Sequence, residues 1–149
     1  MTNLESKIQE DMKQALKAGD KARLETLRGL LAQIKDEGIK KRPKELTDDD
    51  VLAVIQRGVK RRKESIELYK QGNRQDLVEK EQKELEILQK YLPQQLSREE
   101  IEKIVNSVIE QVGATSIRDL GKVMGPVMKQ VQGRADGKEV QQIVRERLS

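Results

Sequence analysis

Gly121-Lys-Val-Met-Gly-Pro-Val-Met-Lys-Gln-Val-Gln-Gly-Arg-Ala-Asp-Gly137 holds four of the chain's ten glycines in seventeen residues. Set at about 100° per residue, Leu120, Val123, Met124, Val127 and Val131 gather on one side of a helix. Arg118, Lys122, Gly125 and Lys129 share a sector on the other. One face packs and the other is cationic. Gly125 lies within the cationic sector, where the lack of a side chain lets another molecule's backbone come close. Gly133 is expected to end the helix, since glycine enters the left-handed region at little cost. Asp136 then reads as the N-cap of a following helix, with Glu139 as its capping-box-like partner. A basic helix, a tight turn carrying Arg134 and a fresh helix start together suit an anion. Pro126 removes a backbone donor and is expected to kink or loosen the helix, which leaves Arg118, Lys122 and Gly125 as the firmest members of the face.

Working outward, the same helical period recurs along the whole chain. Thr2 or Asn3 caps a first helix with Leu4, Ile8, Met12, Ala15 and Leu16 on one side, ended by Gly19. Asp20 caps a second, with Leu24, Leu27, Leu31 and Ile34 as its stripe, running to about Gly38 before a basic loop around Pro43. Thr47-Asp-Asp-Asp50 is a capping box whose carboxylates also complement a helix dipole. The helix it opens carries Leu52, Ile55, Val59 and Ile66, and a cluster of Arg57, Lys60, Arg61, Arg62 and Lys63 that reads first as a solvated face. Gly72 ends it and Asn73 is expected to cap a fourth helix with Leu77, Leu85, Leu88 and Leu92, stopped near Pro93.

Pro93-Gln-Gln95 marks the expected domain boundary. Ser97-Arg-Glu-Glu100 is a second capping box, for a helix burying Ile101, Ile104, Val105, Val108 and Val112 and stopped by Gly113. The expected fold class is therefore all-α: a helical N-terminal domain over residues 1–92 and a small three-helix bundle over 97–149.

Composition limits the chemistry. Among 149 residues there is no cysteine, no histidine, no Phe and no Trp, and the only aromatics are Tyr69 and Tyr91. Disulfides, thiolate chemistry and the commonest general base and metal ligand are thereby excluded. Asp48, Asp49 and Asp50 read as helix-start residues, since they lack the ligand spacing of a calcium loop. Nucleotide-binding glycine motifs are absent. No catalytic residue, metal or cofactor is expected. With no run of about eighteen apolar residues, a cytoplasmic chain with no membrane partner is expected.

Charge points to a polyanion. The formal net charge is +4, with 38% charged residues. Residues 118–138 set Arg118, Lys122, Lys129, Arg134 and Lys138 against Asp119 and Asp136 alone, whereas residues 91–117 carry two cations and four carboxylates. So few aromatics leave little stacking on unpaired bases, and phosphate and shape contacts would have to carry recognition.

Ser116-Ile-Arg-Asp-Leu-Gly-Lys-Val-Met-Gly125 and Gly133-Arg-Ala-Asp-Gly137 resemble the signatures of the GatB/YqeY family. Tyr91-Leu-Pro-x-Gln-Leu-Ser97, the Leu46–Val51 stretch and Tyr69-x-x-Gly72 support the resemblance, which covers essentially the whole chain. It implies a helical N-terminal part and a three-helix C-terminal domain related to the tail of the amidotransferase B subunit that helps hold the tRNA body. A similar domain occurs on some glutaminyl-tRNA synthetases.

By position, the resemblance marks Lys122, Gly125, Gly133, Arg134 and Gly137 for RNA contact. Arg118, Lys129 and Lys138 join them from the charge pattern. The expected function is a non-catalytic accessory that binds the tRNA body, with an aminoacyl-tRNA synthetase or amidotransferase as a further partner. Two alternatives stand beside it. One is membership of a glutamine-dependent amido-transfer system, given the family's association with carbon–nitrogen ligase activity, although the enzyme's catalytic core has no counterpart here. The other is a protein-interaction module docking through the N-terminal helices.

Overall fold

Capping chemistry sets most helix boundaries. In the computed structural model, which describes residues 1–149, the chain is all-α: α1 Asn3–Ala18, α2 Lys21–Lys41, α3 Asp48–Gln71, α4 Gln75–Gln89, α5 Arg98–Val112, a 3₁₀ turn Ile117–Asp119, α6 Leu120–Val131 and α7 Gly137–Leu148. Thr2 Oγ1 accepts from the Glu5 N–H at 3.0 Å to open α1. Thr47 and Ser97 close the two expected capping boxes with Asp50 and Glu100. At the other ends, Gly19 and Gly113 take φ of 71° and 68°, and the next residues' amides bond back to Ala15 O and Ile109 O. These are the glycine stops that satisfy the last carbonyls of a helix. No helix is long and apolar enough to cross a membrane.

Asn73 departs from its expected role. It does not cap α4: it stands at φ 55° and closes α3, with its N–H bonded to Lys70 O and that of Arg74 bonded to Tyr69 O. Asparagine is among the few residues that tolerate the left-handed region, so it does at α3 what glycine does elsewhere. Arg74 stands at the start of α4 without a side-chain cap and pairs with Asp76 instead. Helix α2 also overruns its expected end by about one turn, to Lys41. There the Lys41 ammonium meets Asp50 at 2.7 Å.

The chain divides into two compact units, Met1–Leu92 and Pro93–Ser149, each with its own apolar core. In the first, Ile8, Leu27, Ile34, Val51, Ile55 and Leu88 are fully buried or nearly so. Asp48 Oδ1 accepts from the Leu4 N–H at 3.1 Å, which sets the starts of α1 and α3 side by side. Thr26, the buried polar residue of α2, donates its hydroxyl to Ala22 O at 2.8 Å.

Gly58 governs how closely α3 and α4 approach. A Cβ there would lie 3.2 Å from Leu88 Cδ1 and 3.3 Å from Arg62 Nη1. Arg62, read from sequence as part of a solvated face, is turned inward: Nη1 donates to Gly58 O and Nε lies 3.4 Å from Glu84 Oε2. In the second unit, α5, α6 and α7 enclose Ile101, Val105, Val123, Val127, Val140 and Val144, all fully buried. An all-aliphatic core of this kind gains only from burial and close packing.

Candidate nucleic-acid interface

Helix α6 is built from the outside inward by its apolar spacing. Val123, Val127 and Val131 are fully buried, and Met124, Met128 and Leu120 pack partly buried beside them. The opposite side therefore faces water. It presents Lys122, Gly125 and Lys129, which are exposed and fall within about 60° of one another at 100° per residue.

Pro126 lies on this same outer side and α6 runs through it without interruption. A proline in a helix interior deprives the carbonyl four residues earlier of its partner. Here that carbonyl belongs to Lys122, on the exposed side, where water can satisfy it. The loosening expected from the sequence is therefore absorbed on the solvent face, and Lys129 keeps its register with Lys122.

The local charges are set by what each side chain touches. Lys122 is 73% exposed, and its ammonium lies 3.8 Å from Asp119. Asp119 itself accepts from the Thr115 N–H at 2.9 Å. That backbone bond, more than the lysine, holds its carboxyl below the ordinary value of 3.8. Arg118 sits in the 3₁₀ turn ahead of α6, so its place on the face does not follow the α-helical angle assumed from sequence. It is exposed, as is Lys138 at the start of α7. Glycine 125 carries no packing duty: an added Cβ would find nothing within 4 Å. The same holds for Gly121, which the sequence reading did not single out.

The Gly133–Gly137 segment has a different character. Gln132 at φ −53°, ψ 126° and Gly133 at φ 76°, with Arg134 N–H donating to Val131 O at 2.7 Å, make a type II turn. Such a turn demands positive φ at its third residue. The turn is gripped by residues 94–96. Gln95 Nε2 donates to Gly133 O at 2.9 Å, Arg134 Nε donates to Gln94 O at 3.2 Å, and the Leu96 N–H donates to Arg134 O at 2.8 Å. Asp136 then caps α7 by accepting from the Lys138 N–H at 3.2 Å.

Most members of this segment have a framework task. Gly133 makes the turn, half-buried Arg134 holds residues 94–96 and buried Ala135 joins the core, whereas a Cβ on Gly137 would make only ordinary contact with Met128 Cε, at 3.6 Å. Gln94 and Gln95, read from sequence as a linker, belong to this clamp. The signal available for them was the joint presence of the Tyr91–Ser97 and Gly133–Gly137 motifs.

The residues marked in the sequence thus separate into two sets. Lys122, Gly125 and Lys129 share an exposed helix face, with Arg118 and Lys138 exposed on neighbouring elements. Gly133 and Arg134 build the turn that follows α6, and Gly137 opens α7. Carboxylates are likewise engaged in structure: Asp48 and Asp50 bond helix-start amides, and no group of three or more gathers as a metal site would require.

Residues 5–148 match the family described as Yqey-like protein. The chain belongs to the YqeY-like family. Curated relatives of this YqeY-like chain are named altered inheritance of mitochondria protein 41, mitochondrial. The relative from Pyrenophora tritici-repentis is 35% identical over 146 residues, covering 93% of this chain and 79% of the relative. That from Kluyveromyces lactis is 34% identical, covering 88% and 68%. That from Vanderwaltozyma polyspora is 30% identical, covering 76% of the chain and 64% of the relative.

These names overturn the cytoplasmic placement expected from the sequence, because the relatives are named as mitochondrial proteins. The physical reason is plain. Lack of a long apolar run excludes a spanning helix and nothing more, and a charged, aliphatic-cored helical chain has the same composition in either compartment.

Proposed function

We propose that this YqeY-like chain is a non-catalytic accessory protein that binds the body of tRNA, by phosphate and sugar contacts, in support of an enzyme of tRNA-dependent amidation or aminoacylation. The observation that carries the reading is the outer face of α6. Two exposed lysines flank a glycine over which the surface is open, on a helix whose other side packs into the core through Val123, Val127 and Val131. Exposed cations attract phosphates at a distance, and a bare glycine admits a sugar–phosphate backbone to contact. Arg118 and Lys138, exposed in the same unit, add to its positive charge. The link to amidation or aminoacylation rests on the family resemblance alone.

The test is binding of the purified chain to total tRNA and to an equal-length RNA duplex across a salt series. With about four phosphates neutralised, log K should fall with log salt with a slope of order −3 to −4. Lys122→Ala/Lys129→Ala should make that slope shallower by about 2 while leaving the melting temperature nearly unchanged, because both side chains are exposed. Absence of RNA binding at low salt would overturn the reading. Equal affinity for tRNA and duplex would remove the tRNA-body part of it.

A further inference from the structure

Helix α2 carries a second apolar seam that its own unit leaves open. Leu31, Gly38 and Ile39 line a groove of about 770 Å³ with Leu46 and the start of α1, over Ile34, which is itself fully buried. Its mouth holds two of the chain's most exposed large apolar residues, Met1 at 79% and Ile39 at 49%. Leu46 forms the far wall, its Cδ1 within ordinary contact distance, 3.5 Å, of where a Cβ on Gly38 would lie. From Leu31 to Arg42 the groove follows α2 for about 17 Å at 1.5 Å per residue, room for about three turns of another helix.

Charge is distributed along it unevenly. Lys35, Arg42 and Lys44 line the groove against Glu5 and Glu45. At the α2 end, Arg42 and Lys44 line it beside the single carboxylate of Glu45, while Lys41 next to them is taken up by Asp50. Glu5 stands at the opposite end, in the first turn of α1. An apolar floor with one cationic end suits an apolar helix that brings its own carboxylates to that end. A small ligand would be mostly enclosed by its site, whereas Ala32, Lys35, Ile39 and Arg42 stand exposed here and form an open trough.

We propose that this groove seats an amphipathic helix of a protein partner, its apolar seam laid on Leu31, Ile39 and Leu46 and its carboxylates set against Arg42 and Lys44. This is the helix-in-groove mode, in which anchors at i, i+3/i+4 and i+7 fill an apolar trench. It engages α2 of the first unit and is independent of the RNA-binding face of α6.

The test uses the full chain and two synthetic helical peptides of about four turns, both with a leucine seam, one ending in glutamates and its twin ending in lysines. The glutamate-ended peptide should move the methyl resonances of Leu31, Ile39 and Leu46. Ile39→Asp should weaken it about tenfold or more, and Arg42→Glu/Lys44→Glu should turn preference toward the lysine-ended twin. Unmoved methyls, equal binding of the two peptides, or a preference indifferent to charge reversal would overturn the proposal. So would tRNA moving the same methyls in place of the peptide. A free chain that sediments as a dimer and becomes monomeric with Ile39→Asp would also overturn it, since the groove's occupant would then be a second copy.

Discussion

Tyr91 Oη donates to Asp11 Oδ2 at 2.6 Å across eighty positions of sequence, tying the end of α4 to the middle of α1. Arg23 Nη2 lies 3.9 Å from the same carboxylate oxygen, so α1, α2 and the chain after α4 meet at one carboxyl group. Burial first, and then the neighbouring carboxylate, push the phenol above its ordinary value of 10. In a unit whose fully buried hydrophobic side chains are all aliphatic, this is a directional contact that specifies how the elements meet.

Tyr91→Phe keeps the ring and deletes the bond. Because the acceptor is charged, the loss at neutral pH should be about 1–2 kcal/mol by denaturant unfolding. The phenol's folded pKa is raised, so its contribution is complete below pH 10 and disappears as pH rises through the folded value. The gap between wild type and Tyr91→Phe should therefore hold from neutral pH to about 10 and close above it. A gap that grows in alkali would contradict the assignment.

Arg134 offers a test of the clamp. Arg134→Lys retains the charge but loses the Nε donor to Gln94 O. It should cost about 0.5–1.5 kcal/mol and speed hydrogen exchange at the Leu96 amide, which bonds to Arg134 O. If the arginine acts mainly on residues 94–96, the salt slope of tRNA binding should change little. A slope that drops by about one per lost contact, with Leu96 exchange unaltered, would make Arg134 a phosphate ligand instead.

Much of the secondary structure was legible because helix ends are written in local chemistry. Thr47, Ser97, Gly19 and Gly113 each act through residues within five positions, so the sequence displays donor and acceptor together. Asn73 was misread because the same residue type serves at both kinds of helix end, and only backbone handedness separates them. Arg62 looked like one more solvated cation, since nothing in a charge run shows that a glycine four residues earlier opens a path inward. The exposed face of α6 was readable from its period. The clamp that joins Gln94 and Gln95 to Gly133 and Arg134 was not, because its bonds span nearly forty residues. The groove along α2 was hidden in a stripe that reads as ordinary core until the structure shows part of it uncovered.

Asp50 should make stability depend on acid. Its carboxyl accepts from the Lys41 ammonium, and then from the Thr47 N–H, and is lowered from 3.8 to about 2. A depressed folded pKa contributes stability that is present above 3.8 and lost as pH falls through about 2. Asp50→Asn should thus be less stable than wild type at pH 5–7 by a margin that shrinks between pH 3.8 and 2, measured by thermal melts across that range. A constant margin would mean that the cost of the substitution is local packing and not the ion pair.

The two glycines that bracket the candidate interface should respond in opposite directions. Gly125 has no positive φ, and a Cβ there meets nothing within 4 Å. The folded chain therefore gives up about 1 kcal/mol of helix propensity at this position for no packing return. Gly125→Ala should raise stability by up to about that amount and weaken tRNA binding, with Lys122 and Lys129 still in place. Gly133, at φ 76° in the type II turn, is required by backbone geometry. Gly133→Ala should cost about 1–2 kcal/mol and loosen the Gln95 contact while leaving the salt slope of binding unchanged, because no cation is removed. The decisive comparison is at Gly125. A gain in stability coupled to lost affinity would mean that a partner occupies the space above α6, whereas a gain with affinity unchanged would leave the lysines acting only at a distance.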